Sequence, residues 1–115
     1  MTTFRLMSLS AHAATELVLG LFTVAAPFIF GFGGGATIVT LAIGALLVGL
    51  ALSAVDHRST SVAAHSRFDT MMAMAALAGA LVLGAGRDAG AAAVLCGVGI
   101  AQFALTLTTR YSARA

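Results

Sequence analysis

The sequence predicts an all-α membrane protein: four transmembrane helices arranged as two parallel tandem hairpins, with both termini cytoplasmic. Three observations lead there. Hydrophobic residues make up 60% of the 115 and charged residues only 9%, which leaves too little polar surface to cover a soluble domain. The charges fall into a few groups separated by four nearly pure apolar runs. The chain also repeats against itself.

The runs are Ala13 to Phe32, Ala36 to Val55, Phe68 to Gly86 and Ala89 to Thr108, each close to the roughly 20 residues a helix needs to cross hydrocarbon. Arg5 followed by apolar sequence, with Val24-Ala25-Ala26 beyond it, has the outline of a secretory signal. The apolar run continues past that point through PFIFGF, so the first span is read as a retained helix. Pro27 lies within it and is expected to kink it by removing the hydrogen bond to the Thr23 carbonyl. The first turn is assigned to Gly31-Phe32-Gly33-Gly34-Gly35 and the second to Gly84-Ala85-Gly86-Arg87-Asp88, with glycine supplying positive φ. Between the hairpins, Asp56 to Arg67 reads as a polar loop.

Sliding the chain by 53 residues without a gap pairs His12 with His65, Glu16 with Asp69, Gly31 with Gly84, Gly44 with Gly97 and Ala51-Leu52 with Ala104-Leu105. This makes residues 1–115 one membrane domain holding a first hairpin at 12–55 and a second at 65–108. Ala45 with Gly49, Ala75 with Gly79 and Ala93 with Gly97 are small-xxx-small pairs of the kind that let helices approach in lipid.

Orientation follows the arginines. Arg5, Arg58, Arg67, Arg110 and Arg114 share one side of a four-span topology, against Arg87 on the other, so the first side is cytoplasmic. Lysine is absent while Ala, Gly and Arg abound, a composition pointing to a bacterial inner membrane. The net charge of +2 comes without a basic stripe or interleaved aromatics, so no nucleic-acid partner is expected. Cys96, the one cysteine, has no partner for an intrachain disulfide and reads as a small packing residue.

Polar chemistry is confined to His12 with Glu16, Asp56 with His57, and His65 with Asp69. In HAATE and HSRFD a histidine precedes an acid by four residues, so each pair shares a helix face. Ser66 to Asp69 fits a capping box, with Ser66 as N-cap. No such box surrounds Glu16, which sits about one turn inside the helix if Ser10 is the cap. Glu16, His12, Asp69 and His65 are therefore the candidate proton or ligand site, an intramembrane carboxylate being a functional candidate by default. The spacings fall short of HExxH or paired CxxC motifs, and no histidine lies mid-span for haem. No metal, cofactor or catalytic residue is expected, nor an enzyme.

In the first hairpin, Gly20, Ala26-Pro27-Phe28, Gly31 and Gly44-Ala45 occupy the places of the conserved positions of an SPW repeat, a two-helix membrane module, which this hairpin resembles. Ser and Trp of the Ser-Pro-Trp motif are absent, and the second hairpin has Gly79-Ala80-Leu81 there, keeping Gly84 and Gly97. The resemblance implies a duplicated four-helix membrane protein and carries over no enzymatic activity. The function expected is that of a structural or accessory subunit acting through helix packing, with the bilayer and itself or a larger membrane complex as partners. The alternative is a proton-coupled small-molecule transporter using Glu16, because a four-helix chain with an acid in its first helix also resembles the small multidrug resistance transporters. Glu16 is the residue that matches; the aromatics of such a site are missing.

Overall fold

The computed structural model describes residues 7–55 and 62–109, which form four helices: α1 (Leu9–Phe30), α2 (Gly34–Val55), α3 (Val62–Ala85) and α4 (Ala89–Thr108). Each helix is long and apolar enough to cross a membrane. At 1.5 Å per residue, a helix of this length covers about 30 Å, the thickness of the hydrocarbon core.

The distribution of side chains is that of a protein dissolved in lipid. Val18, Leu21, Phe28, Ile29, Ile38, Leu81 and Val82 are all more than half exposed. Among the described residues, the ten largest fully buried side chains include only two apolar ones, Leu47 and Leu95; the rest are His, Glu, Asp, Gln and Thr. Water would not tolerate that outer surface, whereas hydrocarbon favours it and makes inward burial of polar groups the better choice. Thr23 and Thr40 are accommodated by donating to their own helix, at Leu19 O (2.7 Å) and Ala36 O (2.7 Å).

Helix ends differ from the sequence expectation in informative ways. Ser8, not Ser10, caps α1, its hydroxyl accepting from Ala11 N at 3.2 Å. Ser66 is no cap either: α3 begins at Val62, so the capping box and the assignment of Val62 to Arg67 to a loop are both overturned, and Asp69 turns into the protein. Asp88 caps α4 by accepting from Ala91 N at 3.2 Å. Pro27 lies in the last turn of α1, which continues through it to Phe30. Its own carbonyl accepts from Phe32 N at 3.0 Å across the left-handed Gly31 (φ 68°), a helix stop of the Schellman type.

The second turn uses the same device, with Asp88 N donating to Leu83 O at 2.9 Å. The left-handed residue there is Arg87 (φ 68°), not a glycine; Gly84 stays in α3 and Gly86 has an ordinary φ. Likewise Gly34 and Gly35 belong to α2 rather than to the first turn. A side chain in the left-handed region costs roughly 1–2 kcal/mol, so Arg87→Gly is expected to raise stability by about 1 kcal/mol. Thermal unfolding followed by far-UV circular dichroism in detergent checks this; an unchanged midpoint would show that Arg87 carries no strain.

α1 packs most extensively on α2, and α3 on α4. At the first crossing, a Cβ on Gly44 would stand 2.8 Å from Val24 N and 3.0 Å from Gly20 O; at the second, a Cβ on Gly99 would stand 2.7 Å from Leu77 Cγ and 3.2 Å from Ala73 O. Val24 to Leu77 and Gly20 to Ala73 are steps of 53 residues, but Gly44 to Gly99 is a step of 55. The equivalent of Gly44 in packing is thus Gly99 and not Gly97, because α3 is two residues longer than α1 (24 against 22) and displaces α4 by that amount. Gly97 and Gly49 face outward with no atom within 4 Å of a Cβ, and Ala45, Ala75 and Ala93 are exposed, so the small-xxx-small pairs do not form these crossings. Cys96 is exposed on the outer face as well.

A candidate cation centre at one end of the bundle

Four helix ends meet where the buried polar residues lie. His12, near the start of α1, touches Asp69 of α3 and Thr109 just past α4, while His65 of α3 reaches Ser53 near the end of α2. The amide of Met7 also donates to Thr108 O at 2.9 Å, holding the entry to α1 against the exit of α4.

Glu16 and Asp69 each sit seven residues inside their helices, two turns rather than one, or about 10 Å below the helix ends. Both are 0% exposed, as is His12, and His65 is 2% exposed. Spacing by four puts each histidine on the same face as its acid, and the faces of α1 and α3 point at one another. The two pairs that the sequence presents as separate are therefore one centre. His12 Nε2 lies 3.0 Å from Asp69 Oδ2 and 3.5 Å from Glu16 Oε2; His65 Nε2 lies 3.3 Å from Asp69 Oδ2 and 3.5 Å from Glu16 Oε1. The rings meet edge to face, with centroids 5.9 Å apart.

Among the described residues, three more belong to the centre, and sequence reasoning missed all of them. Gln102 of α4, fully buried, donates through Nε2 to Glu16 Oε2 at 2.6 Å and to Asp69 Oδ1 at 3.3 Å. Its position in the displaced register of α4 corresponds to Leu47 of α2, also buried, so the two halves differ there, polar in α4 and apolar in α2. The signal for Gln102 was an amide alone in an apolar span, the kind of residue that rarely sits in hydrocarbon without a partner. Thr109 and Ser53 each contact the Nδ1 of one histidine, at 2.7 and 3.4 Å; hydroxyls so near span ends carry no comparable signal.

Those hydroxyls fix the histidine tautomers. Thr109 Oγ1 donates its proton to Leu105 O at 2.6 Å, so at His12 it accepts, and Nδ1 of His12 carries the hydrogen. Ser53 Oγ donates to Leu50 O at 2.8 Å and by the same reasoning accepts from Nδ1 of His65. Both Nε2 atoms consequently face the carboxylates. His65 Nε2 and Glu16 Oε1 are buried and make no hydrogen bond, an uncommon condition for buried polar atoms.

Two ionised carboxylates in such a place need positive charge nearby, since a charge buried without compensation costs several kcal/mol. Protons on the imidazoles can supply it, and so can a cation. The acid Asp56 with its neighbour His57, and the orientation-setting Arg5, Arg58, Arg110 and Arg114, lie outside the described residues. Comparison with protein-family models, with curated proteins and with solved structures returns no match, so the centre's own geometry carries the functional reading.

Proposed function

We propose that this multi-pass membrane protein is a cation-binding protein of the bacterial inner membrane, working through the centre formed by His12, Glu16, His65 and Asp69. The observation that carries this reading is the complete burial of two carboxylates, drawn from two helices, with their ligand atoms and those of two imidazoles all within 4.8 Å of one another. A bundle held together by packing alone does not need two acids about 10 Å inside its helices, where each opposes insertion and stability. In this reading the two halves are parallel tandem hairpins with cytoplasmic termini, the centre opens towards the cytoplasm, and the protein is a non-catalytic accessory component of an assembly with itself or a larger membrane complex. The SPW-repeat likeness of the first hairpin supports the duplicated module.

Purified protein heated in detergent with a panel of chloride salts (Na⁺, K⁺, Mg²⁺, Ca²⁺, Mn²⁺, Ni²⁺, Zn²⁺) tests it. At least one cation is expected to raise the unfolding midpoint in the wild type and to do so much less in Glu16→Gln. Indifference to every cation would overturn the reading.

Proton-coupled transport is the second reading, favoured by one specific feature: Glu16 is held at once by Gln102 and by two imidazoles, a setting in which a proton could be exchanged for a ligand. It requires a substrate-dependent proton flux in proteoliposomes that Glu16→Gln abolishes.

A further inference from the structure

We propose that the cation is a single divalent transition ion of zinc's size, held four-coordinate by Nε2 of His12, Nε2 of His65, Oε1 of Glu16 and Oδ2 of Asp69. This inference rests on the cation-binding reading and gives that site its occupant. Ligand atoms at the corners of a tetrahedron about 2.0–2.1 Å from a zinc ion stand roughly 3.3 Å apart. Three separations between the assigned atoms are 3.0, 3.3 and 3.5 Å, His12 Nε2 lies 3.5 Å from the other oxygen of Glu16, and the ligand atoms of the four residues all lie within 4.8 Å of one another, so the side chains already enclose a space close to that size.

Donor chemistry narrows the ion. Two imidazole nitrogens select against Mg²⁺ and Ca²⁺, which take all-oxygen sites of six or more ligands, and favour Zn²⁺ and its neighbours in the first transition row. Each ring is prepared as a ligand: donation from Nδ1 to Thr109 or Ser53 directs the lone pair of Nε2 inward, the usual role of an outer partner of a metal-bound histidine. Gln102 acts in the same way on the acids. By donating to Glu16 Oε2 and Asp69 Oδ1 it engages one oxygen of each carboxylate and turns the other, Oε1 and Oδ2, towards the imidazoles.

Among the buried polar atoms of the centre that make no hydrogen bond, a group that also includes Gln102 Oε1, His65 Nε2 and Glu16 Oε1 are assigned as ligands. A divalent ion with two carboxylates and two neutral imidazoles has no net charge, the condition under which such a group is least costly in hydrocarbon.

Cobalt(II) chloride titrated into the chelator-treated, full-length protein in detergent tests the assignment. Expected is one Co²⁺ per chain, with the intense visible absorption of a four-coordinate site, displaced by one equivalent of Zn²⁺. His65→Ala and Asp69→Asn should abolish that spectrum. Because those changes also disturb folding, Thr109→Val and Ser53→Ala provide the second arm: they remove no ligand, and should weaken Co²⁺ binding by about 10- to 100-fold while keeping the four-coordinate spectrum. Failure of the wild type to take up one Co²⁺, a weak six-coordinate spectrum, or unchanged affinity in both hydroxyl variants would overturn the proposal. Stabilisation by another cation of the panel without Co²⁺ uptake would sink this occupant and leave the cation-binding reading standing; indifference to all of them would sink both.

Discussion

Asp69→Leu, measured on the metal-free protein, is expected to lower stability by about 3–5 kcal/mol, the cost of leaving a buried charge cluster with one partner removed. The carboxylate of Asp69 faces both imidazole Nε2 atoms at 3.0 and 3.3 Å and accepts from Gln102, so its loss takes a partner from three buried groups. The informative comparison is with a variant carrying His12→Leu, Glu16→Leu, His65→Leu, Asp69→Leu and Gln102→Leu together. Replacing every member of a buried ionic cluster with apolar side chains is often neutral or stabilising, and Leu47 already occupies the apolar position equivalent to Gln102. The fivefold variant should therefore recover most of the stability lost in Asp69→Leu while losing cation binding altogether. Reversible unfolding in mixed detergent micelles gives both free energies. A single-substitution cost below about 1 kcal/mol, the level of a solvent-exposed pair, would mean that water reaches the cluster.

Gly44→Ala is expected to cost about 1–3 kcal/mol by overpacking, whereas Gly97→Ala should be neutral or slightly stabilising. The methyl group at residue 44 would meet Val24 N at 2.8 Å and Gly20 O at 3.0 Å, backbone atoms that move only if α1 and α2 separate. At residue 97 nothing lies within 4 Å, and alanine is the better helix former by roughly 1 kcal/mol. The ungapped alignment of the two halves makes these glycines equivalent; the packing makes Gly99 the counterpart. Equal effects at 44 and 97 would favour the ungapped register. The same unfolding measurement decides between them.

How far the sequence reaches can be judged from particular residues. The long apolar runs follow from composition, and the glycine-bearing turns lie close to where they were placed, because lipid leaves a backbone few alternatives to helices that satisfy their own hydrogen bonds. Helix starts were less legible. Ser10 and Ser66 both have the chemistry of an N-cap, yet Ser8 caps α1 and α3 begins at Val62, since a favourable local cap is worth only about 1 kcal/mol and is outweighed by where the helices pack. Arg87 in the left-handed region is a similar case: local preference favours Gly86, and the two extra residues of α3 decide otherwise.

The candidate site divides along the same line. Helical periodicity by itself brings His12 beside Glu16 and His65 beside Asp69, because residues four apart share a face. What periodicity cannot provide is the rotation of one helix about its axis relative to another. The tertiary structure alone turns those two faces together, sets Gln102 between the acids from 33 and 86 residues away, and brings Thr109 across 97 residues to His12. The sequence thus determined a bilayer-spanning bundle with two His-to-acid pairs, since solvation and helix pitch act locally. That the pairs make a single buried centre was decided by long-range packing, which depends on the fit of all four helices at once.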